Sequence, residues 1–233
     1  MKYIVEYNSF SVNEKRVLEL IDNLEINEGI SEWFSNLKTF FQNINDAIQN
    51  LLLTILEKGI KSLDVIKKFF SKIFDKIKSF KEKNPVLFRT VLITLVLLVL
   101  AFVLCSAAAS PTKTPPESVI NAAIGLLHDI QQNGESNIDN SVLMKAQAYL
   151  FELKSGKQIE VGEKAVKAAE SALKVIQQNV QEYRSSKDKN PEDVNYLLGL
   201  IEKGSKMVGY SIREYSDKVS GSYSGSNISL KYK

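Results

Sequence analysis

The chain has 233 residues, of which 24% are charged and 44% hydrophobic, with a formal net charge of +3. Its single cysteine, Cys105, excludes an intramolecular disulfide, and its single histidine, His128, leaves a zinc signature or a histidine-based catalytic dyad without partners. No G-x-x-x-x-G-K-[ST] or G-x-G-x-x-G loop is present to cradle phosphates, so the inventory points away from an enzyme and to no cofactor.

The small net charge hides an asymmetry. Residues 1–57 carry four basic and nine acidic side chains, net −5, whereas residues 58–89 carry ten basic and three acidic, net +7. Residues 90–233 are close to balanced, at sixteen basic and fifteen acidic.

Residues 1–29 open with a mixed polar and apolar stretch, followed by a short helix over 14–23 with Val17, Leu20 and Ile21 on one face. From 30 to 84 the pattern is strongly helical. Leu37, Phe41, Ile44, Ile48, Leu51 and Ile55 are spaced 4, 3, 4, 3, 4; Leu63, Ile66, Phe70, Ile73, Ile77 and Phe80 are spaced 3, 4, 3, 4, 3. Each set is a heptad seam, and Gly59 lies in the gap between them. Phe40, Leu52, Leu56, Phe69 and Phe74 widen both seams beyond a strict coiled coil, which suits an amphipathic helical hairpin or an interfacial helix. On the second helix Lys61, Lys67, Lys68, Lys72, Lys76 and Lys78 cover the remaining surface. Phe and Ile on one side with Lys on the other suit an anionic lipid surface, where each lysine contributes about 1 kcal/mol. A solvated face of a soluble hairpin has the same pattern. No RNA- or DNA-binding motif accompanies the lysines, so nucleic acid is not the expected partner.

This lysine-rich helix is expected to lead directly into a transmembrane helix over 86–109. Residues 90–109, TVLITLVLLVLAFVLCSAAA, contain no charge, proline or glycine. At about 1.5 Å per residue they span roughly 30 Å, the thickness of a hydrocarbon core. Twelve of the fourteen residues from 91 to 104 are Leu, Ile, Val or Phe, favouring insertion by about 4–7 kcal/mol. A buried helix of a soluble protein would need apolar cover on every side. Cys105 stands where a lipobox cysteine would, but Phe102, Val103 and Leu104 before it lack the small residues of that motif. Lysines crowd the N-terminal flank, and only Lys113 stands on the other, so for insertion from inside a cell the N-terminal part is expected in the cytoplasm.

Residues 110–116, SPTKTPP, hold three prolines in seven positions and read as a stiff extended linker. Four helices follow, over 117–132, 140–154, 162–185 and 191–218, with Asn133-Gly134 and Ser155-Gly156 at two of the breaks and Asn190-Pro191 as an N-cap and first position. Val166, Ala169, Leu173, Ile176 and Val180 make one apolar stripe, and Val194, Leu197, Leu198, Ile201 and Val208 another. Alanine in the third helix allows close packing. Short connections between four amphipathic helices predict an up-and-down bundle over 117–218, with no thirty-four-residue repeat. Residues 219–233 read as a flexible Ser/Gly tail. His128 and Asp129 are adjacent on a helix and point apart. Tyr210, Tyr215, Tyr223 and Tyr232 are split between helix and tail, which argues against a stacking surface. The fold class is therefore all-α: an amphipathic hairpin, one transmembrane helix, then a small helical bundle.

Residues 1–14, MKYIVEYNSFSVNE, resemble the leader of proteins packaged inside the heads of large contractile-tailed phages. In that family a prohead protease cuts after Glu, with Ile or Leu two residues earlier. Ile26-Asn27-Glu28 before Gly29 matches this pattern, as does Ile30-Ser31-Glu32; Val12-Asn13-Glu14 departs from it. The resemblance implies processing between Glu28 and Gly29 and a place in the virion before entry into the host envelope. Without it, residues 1–29 read as a strand or first helical turn of a membrane-proximal domain.

Two functions are therefore expected to compete: a non-enzymatic single-pass membrane scaffold or tether, and a head-packaged protein ejected into the host envelope, with a channel formed by an oligomer as a further step. A membrane-permeabilising lysis protein is a third. The expected partners are an anionic bilayer surface and a protein partner or second copy engaged through the helix seams.

Overall fold

The computed structural model describes residues 63–78, 80–134, 139–156, 161–185 and 192–220. Among these it is all-helical: α1 (Leu63–Ile77), α2 (Phe80–Lys83), α3 (Pro85–Ala109), α4 (Glu117–Gly134), α5 (Asn140–Lys154), α6 (Val161–Ser185) and α7 (Glu192–Ser220). The leader with Glu28 and Gly29, the seam from Leu37 to Ile55, Gly59, Lys61, the Asn190-Pro191 cap and residues 221–233 of the tail lie outside the described residues, while 219 and 220, read as tail, end the last helix.

The apolar helix α3 is the axis of the fold. Every residue from Thr90 to Ala107 is buried, and the cover comes from within the chain. Helix α3 packs most extensively against α7, then α6 and α4, and least against α5. The four helices thus close around α3 as well as against one another. Their order is up and down. Lys145 on α5 meets Ser171 on α6, and Glu152 meets Lys164. Glu170 on α6 meets Arg213 on α7, and Gly162 lies against Ser216, so both pairs are antiparallel. Thr94 meets Ser205 and Cys105 meets Tyr215, so α7 runs parallel to α3.

Local sequence accounts for the boundaries. Asn84 adopts φ −152° and ψ 80°, and its side chain accepts a hydrogen bond from the Leu87 amide at 3.2 Å. Pro85 takes the first helical position, where its missing N–H costs nothing, and it disfavours helical backbone at Asn84. The expected continuous helix from the lysines into the span is therefore corrected: α1 ends at Ile77, and α2 and the Asn84 cap intervene. Residues 110–116 also differ from the extended spacer expected. Ser110 caps α3, Lys113 adopts φ +55° with its amide donating to the Ser110 carbonyl, and the hydroxyls of Ser110, Thr112 and Thr114 are linked at 2.9 and 2.7 Å. A chain of short polar side chains stabilises a reverse turn here, and the turn delivers α4 back along α3.

Helix α5 spans the range read from sequence. It begins at the Asp139 cap, whose carboxylate accepts from the Ser141 amide at 2.8 Å, and it ends at Ser155 with Gly156 at φ +67°. Helix α6 turns a small face inward: Ala165, Ala168, Ala169 and Ala172 are buried, while Val166 and Leu173 flank the contact. The close approach this permits is visible at Gly209, where an added Cβ would stand 2.5 Å from a Leu173 methyl. On α7 all five residues of the expected stripe are buried, joined by Ser205, Ile212 and Tyr215.

Candidate functional site

Helix α3 is the chemically distinctive element, and its surroundings define what it can do. It is 25 residues long, and Arg89 is its only charged residue. Length and composition qualify it to cross a membrane. Yet it lies inside a bundle whose amphipathic helices supply the apolar cover that a uniformly hydrophobic helix requires in water.

The contacts between α3 and its cover include a few polar ones. The Thr94 and Ser205 hydroxyls are 3.0 Å apart, and Asn179 on α6 donates to the Thr90 hydroxyl at 3.5 Å. Both threonines also bond within α3: Thr90 donates to the Val86 carbonyl at 2.6 Å and Thr94 to the Thr90 carbonyl at 2.9 Å. Their hydroxyls therefore stay satisfied whatever surrounds the helix, as a nonpolar medium demands. Near the other end Cys105 sits by Tyr215, whose ring carries the Lys218 ammonium at 5.6 Å from its centroid. The Lys113 ammonium caps the Ala108 carbonyl at 3.1 Å, placing a cation at the negative end of the helix dipole.

The lysines proposed from sequence are positioned by α1. Its apolar face is broad: Ile66, Phe69, Phe70, Ile73 and Ile77 are at most 2% exposed, and Phe70 packs edge-on against Phe69 and Phe74 with centroids 5.9 and 6.1 Å apart. Lys67, Lys68 and Lys78 are exposed, and Lys72 and Lys76 are half-buried along the edges. Lys78 pairs with Asp75 at 3.4 Å across open solvent, a weak interaction. Lys67, Lys68, Lys72 and Lys76 thus lie on the outward side and edges of α1, with Lys78 just beyond its end and Lys61 outside the described residues, while the apolar side is already covered. Helix α1 packs against α4, and a groove of about 720 Å³ runs between them, lined by Lys67, Phe70, Phe74, Ala122, Leu126 and Asp129 among others.

His128 and Asp129 both point outward on α4. Tyr210 is 66% exposed on α7, its hydroxyl raised above the usual tyrosine range by a hydrogen bond to Glu214, whereas Tyr215 is buried. Tyr223 and Tyr232 are outside the described residues. Burial also raises the Tyr149 hydroxyl on the inner face of α5. Among the described residues no group of three His, Cys, Asp or Glu side chains is placed to hold a metal ion. Sequence reasoning missed the Thr94–Ser205 and Thr90–Asn179 contacts. The available signal was a serine at 205 and an asparagine at 179, each bordering an apolar stripe on its inward side.

The fold and its axis define an all-helical bundle built around a helix fit to span a membrane. No known protein family, curated protein or solved structure matches the chain.

Proposed function

We propose that this is a non-enzymatic membrane-inserting protein that carries its spanning helix sheltered in a bundle and releases it into a bilayer. The observation that supports this reading is the strongly apolar α3, without a charge from Thr90 to Ala109, enclosed by amphipathic helices of its own chain. In water the closed form is favoured, because exposing the seventeen buried apolar side chains of α3 costs tens of kcal/mol at about 25 cal/mol per Å². At a bilayer lipid replaces the bundle as apolar cover, the segment from 91 to 104 prefers hydrocarbon by about 4–7 kcal/mol on the insertion scale, and the helices α4–α7 can lay their apolar stripes in the interface. The two buried threonines present no obstacle, since each donates to a carbonyl of α3 itself. The inserted chain is a single-pass membrane protein, able to tether or scaffold, with the lysines of α1 on the anionic surface.

A stored form suits the setting that the N-terminal leader implies: packaging in a phage head and ejection into the host envelope. Mass spectrometry of purified virions tests that setting, with a mature N-terminus at Gly29 as the expected result. Finding the intact chain only in host membranes would sink it. The insertion reading is tested on the full-length protein purified without detergent. On adding vesicles, α3 is expected to become protected from protease, and Cys105 from an impermeant maleimide on either side, in urea that unfolds the lipid-free bundle. A chain that is never soluble without detergent, or that stays in solution with vesicles present, overturns the proposal.

A further inference from the structure

Helix α5 is apolar on two faces. Its inner face, Val142, Leu143, Ala146, Tyr149 and Leu150, is buried in the bundle. Its outer face carries Met144, 66% exposed, and Phe151, 56% exposed, with exposed Ala148 between them at helical spacing. The other large exposed apolar residues among those described are tyrosines, Tyr196 and Tyr210, which bring a hydroxyl to water; Met144 and Phe151 bring nothing polar. Lys145 and Lys154 stand exposed beside this stripe. The one acid of the helix, Glu152, is engaged by Lys164. The helix itself therefore carries a net positive charge, with the Asp139 carboxylate at its N-cap near Lys145.

Two large side chains are too few for a stable protein interface, which needs roughly 800 Å² per partner. They suffice for the boundary of a lipid surface, where apolar side chains enter between headgroups and lysines meet anionic phosphates. Among α4–α7, α5 also makes the least contact with α3, so it is the helix whose displacement disturbs the axis least.

We propose that the outer face of α5, Met144, Ala148 and Phe151 with Lys145 and Lys154, is a docking site for an anionic bilayer surface, contacted by the closed bundle before α3 leaves it. The inference rests on the membrane-inserting reading above and adds its first step. Docked there, the bundle is held at the headgroups with α5 already solvated by lipid on its outer side. Opening then proceeds by withdrawing α5 from between α4 and α6.

The test uses the full-length protein with vesicles of phosphatidylcholine and phosphatidylglycerol at 3:1, and pure phosphatidylcholine as control. The double variant Met144→Ser/Phe151→Ser is expected to need at least about tenfold more lipid for half-maximal flotation, with thermal stability unchanged because both side chains face solvent. An environment-sensitive dye on Phe151→Cys, in a Cys105→Ala background, is expected to shift to the blue on the anionic vesicles before α3 becomes protease-protected. Equal flotation of the double variant, or protection of α3 without a dye shift, overturns the docking face while leaving the insertion reading intact. A dye shift and flotation without protection supports the docking face and refutes insertion. Equal binding to neutral vesicles refutes the role given to the lysines. Light scattering that shows a lipid-free dimer abolished by the double variant assigns the face to self-association and overturns the proposal.

Discussion

Truncating Leu97 to alanine separates a sheltered helix from one that is permanently in lipid. Leu97 follows Thr94 by three residues, on the side of α3 turned toward α7, and is 0% exposed. In a packed bundle Leu97→Ala removes buried methyl groups and leaves a cavity between rigid helices, at a cost of about 2–5 kcal/mol. For a helix already in hydrocarbon the same change loses only its share of the insertion energy, about 0.5 kcal/mol, because lipid chains fill the gap. At about 3 °C per kcal/mol for a domain of this size, the bundle reading gives a fall in Tm of roughly 6–15 °C. The assay is thermal unfolding by circular dichroism of the full-length protein in detergent-free buffer, beside wild type. A fall of less than about 2 °C would refute the enclosure of α3 as the source of the fold's stability.

Two further substitutions probe the contacts that hold the bundle closed. A Cβ on Gly162 would collide with the Ser216 hydroxyl and stand 3.0 Å from the Ser216 Cα, so Gly162→Ala makes the hydroxyl turn away and the α7 backbone give by a few tenths of an ångström. An overpacking cost of about 1–3 kcal/mol outweighs the gain of at most about 1 kcal/mol in helix propensity; a higher urea midpoint in the variant would contradict it. Asp139→Ala removes the cap of α5, costing about 0.5–2 kcal/mol at neutral pH. The Ser141 hydrogen bonds hold the Asp139 carboxyl below the usual range, so its contribution is present above the unfolded value near 4 and is lost as pH falls through the lower folded value. The gap in stability between wild type and variant is therefore expected to close in acid; a gap that widens below about pH 4 would show that the carboxylate is not what stabilises the cap.

Much of the architecture was legible along the chain because periodicity and capping are local. The Ser155-Gly156 break ends α5 where it was read, and the stripes on α6 and α7 mark their inward sides. The break before α3 was legible too, since asparagine followed by proline stops one helix and starts another, but the lysine pattern running up to it suggested continuity. The turn at 110–116 was misread because three prolines say only that helix is excluded; the hydroxyl contacts that bend the segment depend on its ends being brought together. For the lysines, sequence placed them on one side of a helix, and that side does face outward; the fate of the opposite face was not visible, because burial is a property of neighbours.

Sequence by itself determined that residues 90–109 form a helix that water cannot surround, since a run without charge, proline or glycine leaves no polar side to expose. It could not say whether lipid or protein excludes the water, because both present the same apolar medium to every side chain of α3. Tertiary structure decided which segments of the chain pack on it: the turn at 110–116 folds four amphipathic helices back along the axis, and their stripes, read separately as the seam of a distant bundle, close on α3. Enclosure depends on how distant segments meet, and local patterns carry no record of it.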